Sequence, residues 1–230
     1  MKKIIAASLI SLVLSSTAYA TAPINKSPLN GFYLGGGVGY QQSDVTLSNN
    51  IDGNHDTVSL DNGLADLNLG YGKVLSQHFY LGTGLRYDYY GDVNQSKTYS
   101  SLLSTQKSYV QLNNALFLTV DPGLLLTPKT LIYANLGIGI VSTTGAVTTQ
   151  TRYATSVPGA YTSYSTTQNE SETKEVFSGI AGVGIRQAFS KHISMSAEID
   201  HVAPSASDLP PGVSDLDYNE GLINFIYTFN

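Results

Sequence analysis

The chain of 230 residues contains no cysteine. That excludes disulfide frameworks and thiolate metal sites together. Charge is also sparse: Asp, Glu, Lys and Arg make up only 13% of residues, against about a quarter in ordinary soluble domains. Basic residues are the scarcer kind, 12 Lys and Arg against 17 Asp and Glu. Such a balance argues against nucleic acid as a partner, because that binding rests on basic patches. Beyond residue 20, no apolar run approaches the roughly 20 residues that a membrane-spanning helix needs.

The first residues read as a processing signal. Lys2 and Lys3 form a basic start, residues 4–14 an apolar stretch, and Ala18-Tyr19-Ala20 a small-x-small cleavage motif, with cleavage expected after Ala20. Residues 21–30 then form a short periplasmic leader carrying Pro23 and Pro28. Without the two signal lysines the balance becomes ten basic against 17 acidic side chains, a net charge of −7. A small exported domain without disulfides needs another source of stability, and a closed sheet in a membrane is one.

What the chain has in abundance is glycine and tyrosine, 22 and 16 residues, arranged with period two. Residues 177–202 show the pattern best: a strand, a tight turn at Ser190, Lys191 and His192, and a second strand. Phe177, Ala181, Val183 and Ile185 share one face of the first arm, and Gly182, Gly184 and Arg186 share the other. Ile193, Met195, Ala197 and Ile199 alternate with Ser194, Ser196, Glu198 and Asp200 on the second arm. Period two is the signature of a strand whose two faces meet different surroundings.

The same alternation recurs along the chain. Phe32, Leu34, Val38 and Tyr40 oppose Tyr33, Gly35, Gly37 and Gly39 on a first strand. A nucleotide-binding glycine loop would need a following helix, and Gln41-Gln42-Ser43-Asp44 does not start one. Leu67, Leu69 and Tyr71 mark a second strand; Phe79, Leu81, Leu85 and Tyr87 mark a third. Val110, Leu112, Leu116 and Leu118 share one face of a fourth, after which Asp121-Pro122-Gly123 opens a turn reaching about Thr130. Ile132, Leu136 and Ile138 mark the fifth, and Ile223, Phe225, Tyr227 and Phe229 the eighth. Polar stretches at 43–62, 91–108, 142–174 and 203–217 read as four long loops, alternating with short turns. Lumenal glycines are expected to make room for long side chains from across a narrow bore. The expectation is an all-β chain, an eight-stranded antiparallel up-and-down transmembrane β-barrel over residues 31–230. Its short turns and both ends would lie in the periplasm and its long loops outside the cell. Phe32, Phe79, Phe189 and Phe229 would sit near the inner interface; Tyr40, Tyr87, Tyr89 and Tyr109 near the outer one. Residues 74–79 (VLSQHF) also parallel residues 188–193 (AFSKHI), which suggests one turn recipe used twice.

GFYLGGGVGY, LIYANLGIGI, the 177–202 hairpin and the terminal Tyr227-Thr228-Phe229 resemble the small bacterial outer-membrane β-barrel proteins, including the OmpA-like transmembrane domain and opacity-type surface proteins. The resemblance covers essentially the whole mature chain, as a pattern of alternation more than of identity. It implies a bacterial outer-membrane location and insertion machinery that reads the terminal strand. The family usually ends on the aromatic, whereas here Asn230 follows Phe229.

The candidate chemistry is thin. Asp66, Arg86, Asp88, Arg186, Glu198, Asp200 and Glu220 fall on lumenal positions. Buried charges must pair, so a structural salt-bridge network that plugs the bore is expected; an ion pathway is the alternative. His192-Ile193-Ser194 superficially resembles the His-x-Ser of lipid A deacylases, but Met195 follows where that family has Asn. A nucleophilic serine needs a base in reach and a carboxylate orienting it, and His78, in the matching turn, has no serine at that offset. Asp52-Gly53-Asn54-His55-Asp56 starts like a calcium loop, but Thr57 stands where a glycine is needed. No catalytic, cofactor or metal site is therefore assigned. Long outward loops are where binding usually resides, and Tyr153, Tyr161 and Tyr164 are candidate contact residues in the longest. The expected partners are outer-membrane lipid and lipopolysaccharide, the barrel-insertion machinery, and host or cell-surface ligands. The expected protein is a non-enzymatic monomer with a structural or adhesion-type role. A narrow porin-like channel and a lipid-modifying enzyme are the alternatives.

Overall fold

A computed structural model describes residues 27–48, 55–91, 94–101, 103–157 and 160–229. The expected signal segment 1–20, leader residues 21–26, Asp52 to Asn54, Asn230 and the side chains of Tyr161 and Tyr164 lie outside the described parts. Nine strands follow in order: β1 (Gly31–Ser48), β2 (His55–Val74), β3 (Phe79–Tyr89), β4 (Asn94–Ser100), β5 (Ser104–Thr127), β6 (Thr130–Val157), β7 (Ala160–Ala188), β8 (Ile193–Pro204) and β9 (Val213–Phe229). All pairings are antiparallel, and the order β3-β2-β1-β9-β8-β7-β6-β5 closes on itself through β3–β5. The result is a ring of eight strands. Among the described residues β4 pairs with β5 only, and it continues the line of β3 beyond a break at Tyr90 and Gly91. Gly91 has φ +71, a left-handed conformation that glycine adopts without steric cost.

Along a single strand the two faces exchange character. On β1, Phe32, Leu34, Val38 and Tyr40 point outward and are exposed, followed by Gln42 and Asp44 on the same face. The inward face runs from Tyr33 and the glycines to Gln41 and Ser43, and then to fully buried Val45 and Leu47. β9 does the same: Phe229, Tyr227 and Phe225 give way outside to Asn219, Asp217 and Asp215, and Asn224 and Glu220 give way inside to Tyr218, Leu216 and Val213. The outward apolar band covers about nine residues per strand, a height of roughly 25 Å once the strands tilt. That is the span of an outer-membrane hydrocarbon core. Aromatics rim its short-turn end, where Phe32 meets Tyr71 edge-on at 5.0 Å and Tyr227 lies against Phe229 at 4.9 Å.

The repeated turns are built alike. The Phe79 amide donates to Ser76 Oγ at 3.2 Å, and the Ile193 amide donates to Ser190 Oγ at 3.0 Å. Leu75 and Phe189 each donate a backbone bond to the residue opening the next strand, at 2.8 and 2.9 Å. Both histidines serve neighbouring strands: the His78 carbonyl accepts from Leu125 and the His192 carbonyl from Thr228, each at 2.8 Å.

Three expectations need correction. The segments expected as loops are largely strand: 43–48, 55–62, 94–100, 104–108, 142–157 and 160–174 are paired, leaving short connections. Much of their polarity lies on the outward face, with Ser43, Gln106, Ser108 and Thr143 buried inside, and Thr, Val and Tyr favour the pleated conformation; the Thr144 and Thr173 hydroxyls bond across β6 and β7 at 2.8 Å. Val110 and Leu112 do not share a face with Leu116 and Leu118. A bulge between Leu112 and Asn114 shifts the register, so Val110 and Leu112 face the interior; one extra residue exchanges the faces of everything beyond it. Asp121-Pro122-Gly123 lies inside β5, and the turn falls at Thr127–Thr130, closed by their hydroxyls at 2.8 Å.

The lumenal glycines do admit large side chains, but from the neighbouring strand rather than from across the bore. Tyr33 lies over its partner Gly70, Tyr133 over Gly184, and Asp200 over Gly182. A Cβ at Gly184 would stand 2.7 Å from the Tyr133 hydroxyl and 2.9 Å from Glu198 Cγ, whereas one at Gly179 meets nothing within 4 Å. Gly184→Ala is expected to lower stability in urea titrations of micellar protein by about 1–3 kcal/mol. Gly179→Ala on the same strand should leave the midpoint unchanged.

Candidate functional site

Among the described residues, charged side chains of the spanning region converge in the interior of the barrel. Parity along β3, β8 and β9 puts Arg86, Asp88, Asp200 and Glu220 on inward positions of three strands that curve around one bore. Arg86 is their common partner. Its Nε donates to Asp88 Oδ1 at 2.8 Å, its Nη1 to Asp200 Oδ2 at 2.6 Å, and its Nη2 to Glu220 Oε2. All four side chains are buried. Tyr90 Oη donates to Glu220 at 2.6 Å and lies 2.9 Å from Tyr218 Oη, while Asn135 Nδ2 donates to Asp200 at 3.3 Å. The planar guanidinium, with donors in a fixed fork, suits a site that presents carboxylates on three sides.

The other candidates stand apart from this cluster. Arg186 donates to Ser194 Oγ at 2.8 Å and Thr228 Oγ1 at 3.0 Å, and its guanidinium lies 5.1 Å from the Tyr33 ring centroid. Glu198 accepts from Tyr133 Oη at 2.5 Å, Ser196 Oγ at 2.9 Å and Asn224 Nδ2 at 3.3 Å. Asp66 accepts from Asn68 Nδ2 at 2.9 Å. The expected single network is thus one four-residue ion cluster with separately hydrogen-bonded neighbours. Register explains the split: Arg186 stands opposite Ser196 and Glu198 opposite Gly184, so Arg186 meets hydroxyls where a carboxylate was expected.

Above and below the ion cluster lie two apolar clusters, the upper one interspersed with buried Ser43, Gln106, Ser108 and Thr143. Toward the hairpin end, Val45, Leu60, Val110, Leu112, Phe117, Val141, Leu216 and Tyr218 are among the side chains that fill it. At the short-turn end, Leu29 enters the mouth from the leader and packs with Val74, Tyr80, Leu125, Leu131, Tyr133 and Ala188. Asn30 Oδ1 fixes that entry by accepting from the Val74 amide at 2.7 Å. Between the layers a polar cavity of about 40 Å³ is lined by Tyr33, Asn68, Asp121, Asn135, Arg186 and Glu198 among others, enough for a water or two.

Sequence reasoning missed Asp121, Tyr90 and Tyr218 as members of the interior, whereas Tyr133 lies inward as its parity with Asn135 and Gly137 predicts. Asp121 shares parity with Thr119 and Phe117, and that signal was available once the turn was placed at Thr127. Ser194 is buried and bonded to Arg186, while His192 Nδ1 faces the Thr228 carbonyl at 3.0 Å. The two side chains therefore have different partners. In the calcium-like stretch, Asp56 pairs with Lys97 at 3.1 Å. Tyr153 is exposed on β6.

Removing Arg86 would leave three buried carboxylates facing one another. Arg86→Met is expected to cost about 3–5 kcal/mol of stability, and neutralising Asp88, Asp200 and Glu220 to Asn, Asn and Gln in the same chain should recover much of that loss. Denaturant midpoints of the single and combined variants check both expectations.

Solved structures with related chain paths include the attachment invasion locus protein of Yersinia pestis in complex with sucrose octasulfate, a heparin analogue. It is 15% identical at a TM-score of 0.40, covering 87% of this chain and 99% of that one. The Neisserial surface protein A is 9% identical at a TM-score of 0.46, over 87% and 98%. The Escherichia coli outer membrane protease OmpT is 9% identical at a TM-score of 0.38, over 94% and 99%. No curated protein sequence matches the chain. The family described as outer membrane protein beta-barrel domain matches residues 6–229. With that match over nearly its whole length, the chain belongs to the outer membrane protein beta-barrel family and resides in the bacterial outer membrane.

Proposed function

We propose that the protein is a non-enzymatic, non-conducting monomeric scaffold that holds its long hairpins outside the cell for contact with other surfaces. The observation that carries this reading is the pairing of a filled bore with a long projection. The bore is occupied along its length, by the Leu29 cluster, the Arg86 ion cluster and the apolar core that includes Leu60 and Leu112. β6 and β7 run 28 and 29 residues, about three times what crosses a hydrocarbon core. The part of β6 beyond Ile140 reaches some 50 Å along the strand at about 3.3 Å per residue.

On this reading the short turns face the periplasm, the apolar band contacts lipid and the acyl chains of lipopolysaccharide, and the terminal strand ending in Phe229 engages the insertion machinery. The hairpins stand where host or cell-surface ligands would meet them. Tyr153, Tyr161 and Tyr164 lie near the tip of the longest, and tyrosine gives large contact area at little entropic cost.

In planar bilayers the wild-type protein should produce no stable conductance steps. Regular unitary openings would favour a channel and overturn the proposal. Deleting residues 146–171 joins Gly145 to Glu172, which are already paired. The shortened protein should keep its boiled-versus-unboiled gel shift and membrane location while losing attachment to host cells; unchanged attachment would remove this hairpin from the case.

A further inference from the structure

Among the described residues, nothing covers one side of the long hairpin. β8 ends at Pro204, opposite Ser178, so β7 continues beyond it toward Ala160 with a strand partner on its β6 side only among the described residues. Strand parity identifies the backbone groups on the bare side. The Phe177 carbonyl accepts from Ser205 on the β8 side, and the Ala188 amide donates to Lys129 on the β6 side. Odd-numbered residues of β7 therefore turn their N–H and C=O away from β6. Ser165, Thr167, Asn169, Ser171, Thr173 and Glu175 form the bare edge, and residues 165–175 are exposed on both faces apart from half-buried Lys174.

Such an edge is a template for pairing with another strand, and proteins usually interrupt it with a bulge, a proline or a covering segment. None of these occurs here: the β6–β7 register is unbroken and residues 165–177 contain no proline. The corresponding edge of β2, by contrast, is faced by β4 through the Asp56–Lys97 pair. What guards the β7 edge is charge, from Glu170, Glu172 and Glu175; Lys174, the sole cation among residues 165–175, lies 3.6 Å from Glu172, which leaves a net charge of −2 (one basic against three acidic side chains). An antiparallel pairing of two copies about the middle of the segment would set Glu170 against Glu170, which is unfavourable.

We propose that the bare edge of β7 is a docking site for an extended basic polypeptide segment, which adds a strand to the sheet and places lysine or arginine beside Glu170 and Glu172. Backbone hydrogen bonds along the edge hold the segment, and alternate side chains select it. This deepens the proposed surface-contact role and rests on that reading for its biological setting.

The test uses the full-length protein in detergent micelles and a peptide of about twelve residues alternating lysine with valine or threonine, matched to the edge at roughly 3.3 Å per residue. Fluorescence anisotropy should show saturable binding. Methylating the peptide nitrogens on its pairing side should weaken binding roughly tenfold or more, and so should Ser171→Pro, which removes an amide that β6 does not use. Changing Glu170 and Glu172 together to glutamine should lower affinity severalfold and flatten its salt dependence. Equal binding of methylated and unmethylated peptide, or no binding at all, would overturn the edge proposal. The methylated peptide needs no protein variant, so a misfolded Ser171→Pro chain cannot blur the result. Cell attachment lost with the hairpin but unaffected by excess peptide would leave the surface-contact role standing and reject this mode of contact.

Discussion

The constraint on which the structure depends is that each face of each strand must suit the medium beside it, and that medium changes partway along the strand. In the bilayer the outside meets hydrocarbon and the inside is a narrow bore; beyond it the outside meets water and the inside becomes an ordinary core. β1 shows both regimes with no change of period, Tyr40 yielding to Gln42 outside while Ser43 yields to Val45 inside; β9 follows it until the register shifts between Asp215 and Val213. On the β1–β2 and β6–β7 hairpins the pairing passes through the transition without a register shift. That continuity is what lets those hairpins become extended projections without a flexible neck.

Arg86 is the second requirement of the same kind. An eight-stranded barrel encloses space that side chains must fill, and the polar zone of the bore is filled by charge rather than by hydrocarbon. The guanidinium ties β3 to β8 and β9 at one point, its partners there lying 114 and 134 residues further along the chain. Fully paired, the cluster fixes the relative positions of those strands; with any member missing it becomes a source of instability. The glycines opposite Tyr33, Tyr133 and Asp200 belong to the same solution, since they let large side chains lie along the wall.

Much of this was legible in the sequence because alternation survives the fold. The outward residues, the eight-strand ring and the repeated turn with its serine could be read from spacing, and the members of the Arg86 cluster could be placed on inward positions. Two kinds of information could not. Polarity alone does not separate a solvated loop from a strand whose outer face is wet, so 142–174 read as irregular although its inward Thr143 and Val147 are buried. A bulge leaves no mark in residue type, and the one after Leu112 exchanged the faces of Val110 and Leu112. Pairing partners inside the bore depend on cross-strand register, which explains why Arg186 found Ser194 and Thr228 instead of a carboxylate.

The ring also sets an order of assembly. Every seam but one joins strands that follow each other in sequence, or nearly so, and can zip outward from a local turn. The exception is β1 with β9, where Phe32 meets Phe229 across the whole run of strands. Loop-closure entropy rises only slowly with length, by about 0.6 kcal/mol per doubling, so the seam is slow less for its cost than because both edges must already be formed and curved toward each other. Until it closes, two long unpaired edges face the surroundings, and the interval before closure is when the chain is most exposed to pairing with the wrong neighbour.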